Sequence, residues 1–128
     1  MNKLDKESII GISALLVHAA NIDEIYSDHE KKLIKDFIES YSINEDSEII
    51  LKKAEEIENN SNQLLNYTNI IKQNSMEIKK DIIEHLWKVI ISDNTVDQYE
   101  SNLMRRICGL IYFSDKECAE IKLKLINN

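Results

Sequence analysis

Apolar residues recur along this chain at three- and four-residue intervals rather than in strict alternation, the signature of helices with one buried face. Ile9, Ile12, Leu16, Ala19 and Ala20 form a first stripe and predict a helix from near Asp5 to about Asn21. Leu33, Ile34, Phe37, Ile38 and Tyr41 form a second. Ile49, Ile50, Leu51 and Ala54 lead toward Ile57 in a third, and Leu64, Leu65, Tyr67, Ile70 and Ile71 make a shorter fourth. Leu86, Val89 and Ile90 precede Asp93 at helical spacing; Leu103, Ile107, Leu110 and Ile111 follow it. Cys118, Ile121, Leu125 and Ile126 mark a last helix. Between stripes stand residues that start helices. Ser27 with Glu30, Asn74 with Glu77, Asp97 with Glu100 and Ser114 with Glu117 have the spacing of a capping box, and Asn44 is placed to cap the third helix. The expectation is an all-α chain of about seven helices.

Composition strengthens that expectation. Strand-rich folds draw their tight turns from Gly and Pro, and this chain of 128 residues has two Gly and no Pro. Its length predicts a single domain over residues 1–128, large enough to bury a core without a disulfide or metal staple. The formal net charge of −7 argues against a nucleic-acid partner, because affinity for phosphate backbones rests on clustered Lys and Arg. The pairs Lys31-Lys32, Lys52-Lys53, Lys79-Lys80 and Arg105-Arg106 are dispersed among acids and read as solvated helix faces. Cys108 and Cys118 each fall on an apolar face without metal-ligand spacing, and read as buried reduced thiols.

A shift of 70 residues lays the first helix pair on a second one: Leu16 meets Leu86, Asp23 meets Asp93, Glu30 meets Glu100 and Leu33 meets Leu103. The expected organisation is therefore a duplicated helix-elbow-helix unit, with halves at about 8–41 and 78–112 related by pseudo-symmetry. The repeat also bears on Ile9 to Ala20, a run that resembles the apolar part of a signal peptide. Its counterpart lies mid-chain, no net positive charge precedes it, and Ser13 and His18 interrupt it, so it is expected to be a core helix and not inserted in a membrane.

The acids at the elbows invite two readings. Asp93 sits at a helix C-terminus, where the macrodipole disfavours an unpaired carboxylate. In one reading it closes an Asx-type turn, while Asp97 and Glu100 cap the next helix. In the other, Asp93, Asp97 and Glu100 hold a cation, since carboxylates and loop carbonyls supply the hard oxygen donors that Ca or Mg prefers. An EF-hand is excluded, because Tyr99 and Met104 stand where that loop needs Gly and Glu. No Gly-rich phosphate loop, nucleophile elbow or His-Glu-x-x-His occurs, and no catalytic residue is assigned. His29 is expected exposed, and His18 and His85 at the rims of their helices.

The paired elbows, Asp23-Glu24-Ile25-Tyr26-Ser27-Asp28-His29-Glu30 and Asp93-Asn94-Thr95-Val96-Asp97-Gln98-Tyr99-Glu100, resemble those of the tellurite-resistance TerB-like domain. Leu86-Trp87, Val89, Tyr99-Glu100 and Arg105-Arg106 are similar to its stand-alone, uncharacterised branch. The resemblance runs from about Ser8 to Leu125. It implies an all-helical domain in a bacterial cytoplasm, an association with responses to tellurite and other toxic stress, no enzymatic activity, and a divalent metal at the acidic elbows. The family's Gly after each elbow Asp is Glu24 in the first copy and Asn94 in the second. Asp23 and Glu30 are thus the weaker metal candidates, and Asp93, Asp97 and Glu100 the stronger. The leading expectation is a non-enzymatic stress-associated module that binds a divalent cation and docks on a protein partner. The alternative is an acidic helical interaction domain without metal, its elbow acids serving only as caps.

Overall fold

In a computed structural model the described residues are 4–21, 27–41, 46–60, 64–91 and 98–127. Among them are seven α-helices and no strand: α1 Lys6–Ala20, α2 Asp28–Tyr41, α3 Ser47–Asn60, α4 Leu64–Lys72, α5 Met76–Ile91, α6 Gln98–Leu110 and α7 Asp115–Ile126. The fold is all-α, as the apolar periodicity predicts. No helix among the described residues is long and apolar enough to cross a membrane.

The fold is built around α1. Its five expected inward residues are all buried, and Gly11, Ser13, Ala14, Leu15 and Val17 are buried with them. A helix apolar on all sides has to be covered on all sides, and α2, α3, α4 and α5 all pack against α1. α3 and α4 thus belong to the shell that encloses α1. Gly11 permits the close approach of α4, for an added Cβ there would stand 2.5 Å from Cδ1 of Ile70. The second layer is α5, which packs on α1, α2 and α7, while α6 contacts α4 and α7. Fully buried Ile12, Leu15, Leu16, Ile34, Phe37, Ile82, Ile83 and Leu86 form the middle of the core. Burial of each such side chain contributes roughly 1.5–3 kcal/mol.

The 70-residue register carries into the helix bounds. α5 and α6 begin at Met76 and Gln98, where α1 and α2 begin at Lys6 and Asp28. Ile12 and Ile82, Leu16 and Leu86, Ala19 and Val89, and Phe37 and Ile107 are buried in both copies. The copies differ in environment: Ser13 corresponds to Ile83, and Ile9 to Lys79, all four being buried.

Helix starts follow local hydrogen bonding, with two corrections. Asp5 caps α1, its Oδ1 accepting the amide of Ser8 at 2.7 Å. Ser114 caps α7 by accepting from the amide of Glu117. For α5 the cap is Ser75, whose Oγ accepts the amide of Ile78, and not Asn74. The Asn74 side chain instead donates to the carbonyl of Ile70, closing the end of α4. For α3 the cap is Asp46, which accepts the amide of Glu48; Asn44 lies outside the described residues. Ile49, Ile57 and Ile126, placed on stripes by spacing, are exposed. On α3 the inward row is Ile50, Ala54 and Glu58, so Ile49 and Ile57 turn away from α1.

After α6 the chain reverses through a Schellman motif. The amide of Phe113 donates to the carbonyl of Cys108 at 2.8 Å and that of Tyr112 to Gly109 at 3.4 Å. Tyr112 takes the left-handed position, φ 59°, that usually falls to Gly. Lys72 of α4 lies over its ring, 4.9 Å from the centroid.

Candidate functional site

The elbow between α1 and α2 is flanked by two buried carboxylates. On the α2 side is Glu30, buried in the first turn. Its Oε1 accepts the amide of Ser27 at 2.9 Å and the Ser27 hydroxyl at 3.0 Å, while Ser27 Oγ accepts the Glu30 amide at 3.2 Å. The expected capping box is present, and it explains why a charged side chain is buried here: it satisfies donors that the helix start leaves over.

On the α1 side the carboxylate is Glu58, delivered from α3. Its Oε1 lies 3.2 Å from Nδ1 of His18, and its Oε2 accepts from the side-chain amide of Asn21 at 3.3 Å. Asn21 is the C-cap of α1, its amide bonding back into the last turn. Glu58 therefore reaches the start of the elbow from a different helix. Burial, and the Glu58 carboxylate, push the Tyr67 hydroxyl above its usual range. Glu58 was not among the acids singled out by the repeat. Its signal was its place at 50, 54 and 58 on the inward row of α3, hidden by the polar sequence around it. His18 is indeed a rim residue, and His29 is exposed.

Of the other expected site residues, Asp23, Asp93 and Asp97 lie outside the described residues. Glu100 falls within α6, but its side chain is likewise outside them. Among the described residues no group of three or more His, Cys, Asp or Glu side chains converges as a metal site. In kind, the carboxylates at the elbows suit a hard, oxygen-seeking cation such as Ca or Mg better than a soft metal, since the two thiols lie elsewhere.

A second cluster lies away from these carboxylates in sequence, on α5, α6 and α7. Trp87, Ser101, Met104, Arg105, Asp115, Cys118 and Lys122 line a groove of about 220 Å³ where α5, α6 and α7 meet. Trp87 Nε1 donates to the carbonyl of Cys118 at 3.1 Å, and Lys122 Nζ lies 5.3 Å from the Trp87 ring centroid. Cys108 and Cys118 are both free and buried, as expected, and they touch. The Cys108 thiol donates toward Cys118, which pushes the Cys108 thiol up and draws the Cys118 thiol down. Ten residues apart on separate helices, they had no spacing that could reveal the contact.

A third polar tie joins α2 to α5: the Tyr41 hydroxyl donates to Asp81 Oδ2. Burial and that carboxylate together hold the Tyr41 hydroxyl well above its ordinary range. His85 bonds the carbonyl of Asp81 at 2.8 Å and meets the Phe37 ring edge-on. The Tyr41–Asp81 bond and the Phe37–His85 ring contact join α2 to α5, while the His85 bond to the Asp81 carbonyl stays within α5.

No curated protein and no solved structure matches the chain. A family model described as tellurite resistance protein TerB matches residues 10–123, from the second turn of α1 into the last turns of α7. That span takes in all seven helices and both acidic elbows, and on it the chain belongs to the TerB family.

Proposed function

We propose that this protein is a non-catalytic TerB module of the bacterial cytoplasm, associated with the response to tellurite or related toxic stress. In this reading it binds a divalent cation, Ca or Mg, at its acidic elbows and docks on a protein partner. The observation that carries the cation is the pair of buried carboxylates flanking the first elbow, Glu58 tied to Asn21 on one side and Glu30 tied to Ser27 on the other. Two carboxylates held beside one loop lower the reorganisation needed to receive a cation. Asp23, and at the second elbow Asp93, Asp97 and Glu100, would supply the remaining oxygens. A bound cation would neutralise carboxylates at helix ends where the macrodipole disfavours them.

The test is a thermal melt of chelator-treated protein with and without millimolar Ca or Mg, run beside Asp93→Asn and Asp23→Asn. A ligand that binds only the folded form raises Tm by mass action. A rise of several degrees in the parent, lost in either variant, supports the cation and names its elbow. Unchanged melts in all three remove it.

A second reading has its own support in the Ser27–Glu30 box, which accounts for one elbow acid as a cap. There the protein is an acidic helical interaction domain that needs no metal. The charge of −7 favours a basic protein surface as its partner and disfavours nucleic acid. Partner binding that weakens steeply with salt and ignores chelator supports it.

A further inference from the structure

The two thiols at the α6–α7 contact have no part in the elbow chemistry. Cys108 is fully buried on the last turn of α6, and Cys118, 5% exposed, lies on the first turn of α7 and lines the groove. Chain reversal through Tyr112 and Phe113 brings these turns together, with the Phe113 amide bonded to the Cys108 carbonyl. Their sulfurs stand within hydrogen-bonding reach of one another. From there the approach to a disulfide bond length of about 2.05 Å is short.

We propose that Cys118 is a peroxide-oxidation site and Cys108 its resolving thiol, the pair closing into an intrachain disulfide that locks α7 onto α6. The two cysteines are not equivalent, and their surroundings assign the order. The Cys118 sulfur receives the Cys108 S–H, and the Lys122 ammonium, which shares the groove with it, favours its anion, against Asp115. A thiolate favoured in this way at the wall of a groove is the reactive kind of the two. Cys108 is shielded from solvent and keeps its proton.

The chemistry balances with hydrogen peroxide as the oxidant. The Cys118 thiolate attacks one peroxide oxygen; the S–O bond forms, the O–O bond breaks, and the departing hydroxide takes up a proton to leave as water. Cys118 is then a sulfenic acid. The Cys108 sulfur attacks the Cys118 sulfur, the S–S bond forms and the S–O bond breaks. The leaving hydroxide carries off the Cys108 proton as a second water. Two thiols are oxidised by two electrons and one peroxide is reduced.

The experiment treats the folded full chain with stoichiometric hydrogen peroxide in the presence of dimedone, followed by intact mass and peptide mapping. The parent should lose two hydrogens and yield a Cys108–Cys118 linked peptide, without a dimedone adduct. Cys108→Ser should trap dimedone on Cys118. Cys118→Ser should leave Cys108 unlabelled, or labelled at least about tenfold more slowly, as a shielded protonated thiol requires. The idea is overturned if the folded parent forms no linked peptide, or if the two variants label at equal rates. The parent result alone decides the disulfide even where a serine variant does not fold. Linkage that appears only in denaturant would also overturn it.

Discussion

Glu58 Oε1 stands 3.2 Å from Nδ1 of His18, joining α3 to α1 across forty residues of chain. With Asn21 on its other oxygen, the carboxylate is satisfied on both sides while nearly excluded from solvent. Loss of the acceptor would strand two partners at a part-buried site, and such losses cost about 1–3 kcal/mol. Glu58→Ala should therefore lower stability by about that amount in a urea melt, and Glu58→Gln, which keeps one acceptor oxygen, by less. Equal and negligible effects would make the cluster a bystander at the end of α1.

The sequence and the structure agree where the physics is local. Ser27 with Glu30 and Ser114 with Glu117 could be read directly, because a cap is decided within four residues. Asn74 and Ser75 show where this ends: both are good caps, and which of them starts α5 depends on the carbonyl of Ile70 left over by α4. The unbroken burial of α1 from Gly11 to Val17 was half legible. Its apolar face was visible in Ile9, Ile12 and Leu16, but Ser13 and Val17 are buried only because four other helices surround them. Glu58 and the Cys108–Cys118 contact were hidden for a related reason, since each is completed by a residue from another helix. The strongest elbow candidates, Asp93 and Asp97, lie outside the described residues.

Ser13 supplies a prediction of the opposite sign. Its Oγ is buried and has no hydrogen-bond partner among the described residues. A hydroxyl buried in that way forfeits solvation without return, and Ala is the better helix former. Ser13→Ala should raise stability by roughly 0.5–1 kcal/mol, read as a higher urea midpoint with an unchanged slope. A fall in stability would mean that the hydroxyl has a partner in the folded protein.

Tyr112 occupies a left-handed position at φ 59°, where an L side chain costs about 1–2 kcal/mol relative to Gly. Against that stands the Lys72 ammonium over its ring, worth about 0.5–1 kcal/mol at an exposed site. Tyr112→Gly should thus stabilise modestly, by up to about 1 kcal/mol, because relief of backbone strain exceeds the lost ring contact. Lys72→Ala in the parent should cost only the smaller amount. Destabilisation by Tyr112→Gly would show that the ring holds α4 and α6 together more firmly than strain drives them apart.

Asp5 carries the clearest dependence on pH. The Ser8 amide, bonded to its Oδ1, holds the carboxyl below its ordinary value of 3.8. A carboxyl whose folded value is depressed contributes its stability above the unfolded value and loses it as pH falls through the folded one. The cap is almost fully solvated, so the charge effect is screened and small; the hydrogen bond itself, worth about 1 kcal/mol for an N-cap, is the main contribution. Asp5→Ala should therefore lower Tm at pH 7, and the gap between variant and parent should narrow as pH drops below 3.8. Asp5→Asn keeps an acceptor oxygen at every pH and should show a gap from the parent that is smaller at pH 7. A constant difference between Asp5→Ala and the parent from pH 7 to pH 2 would show that the carboxylate charge plays no part in starting α1.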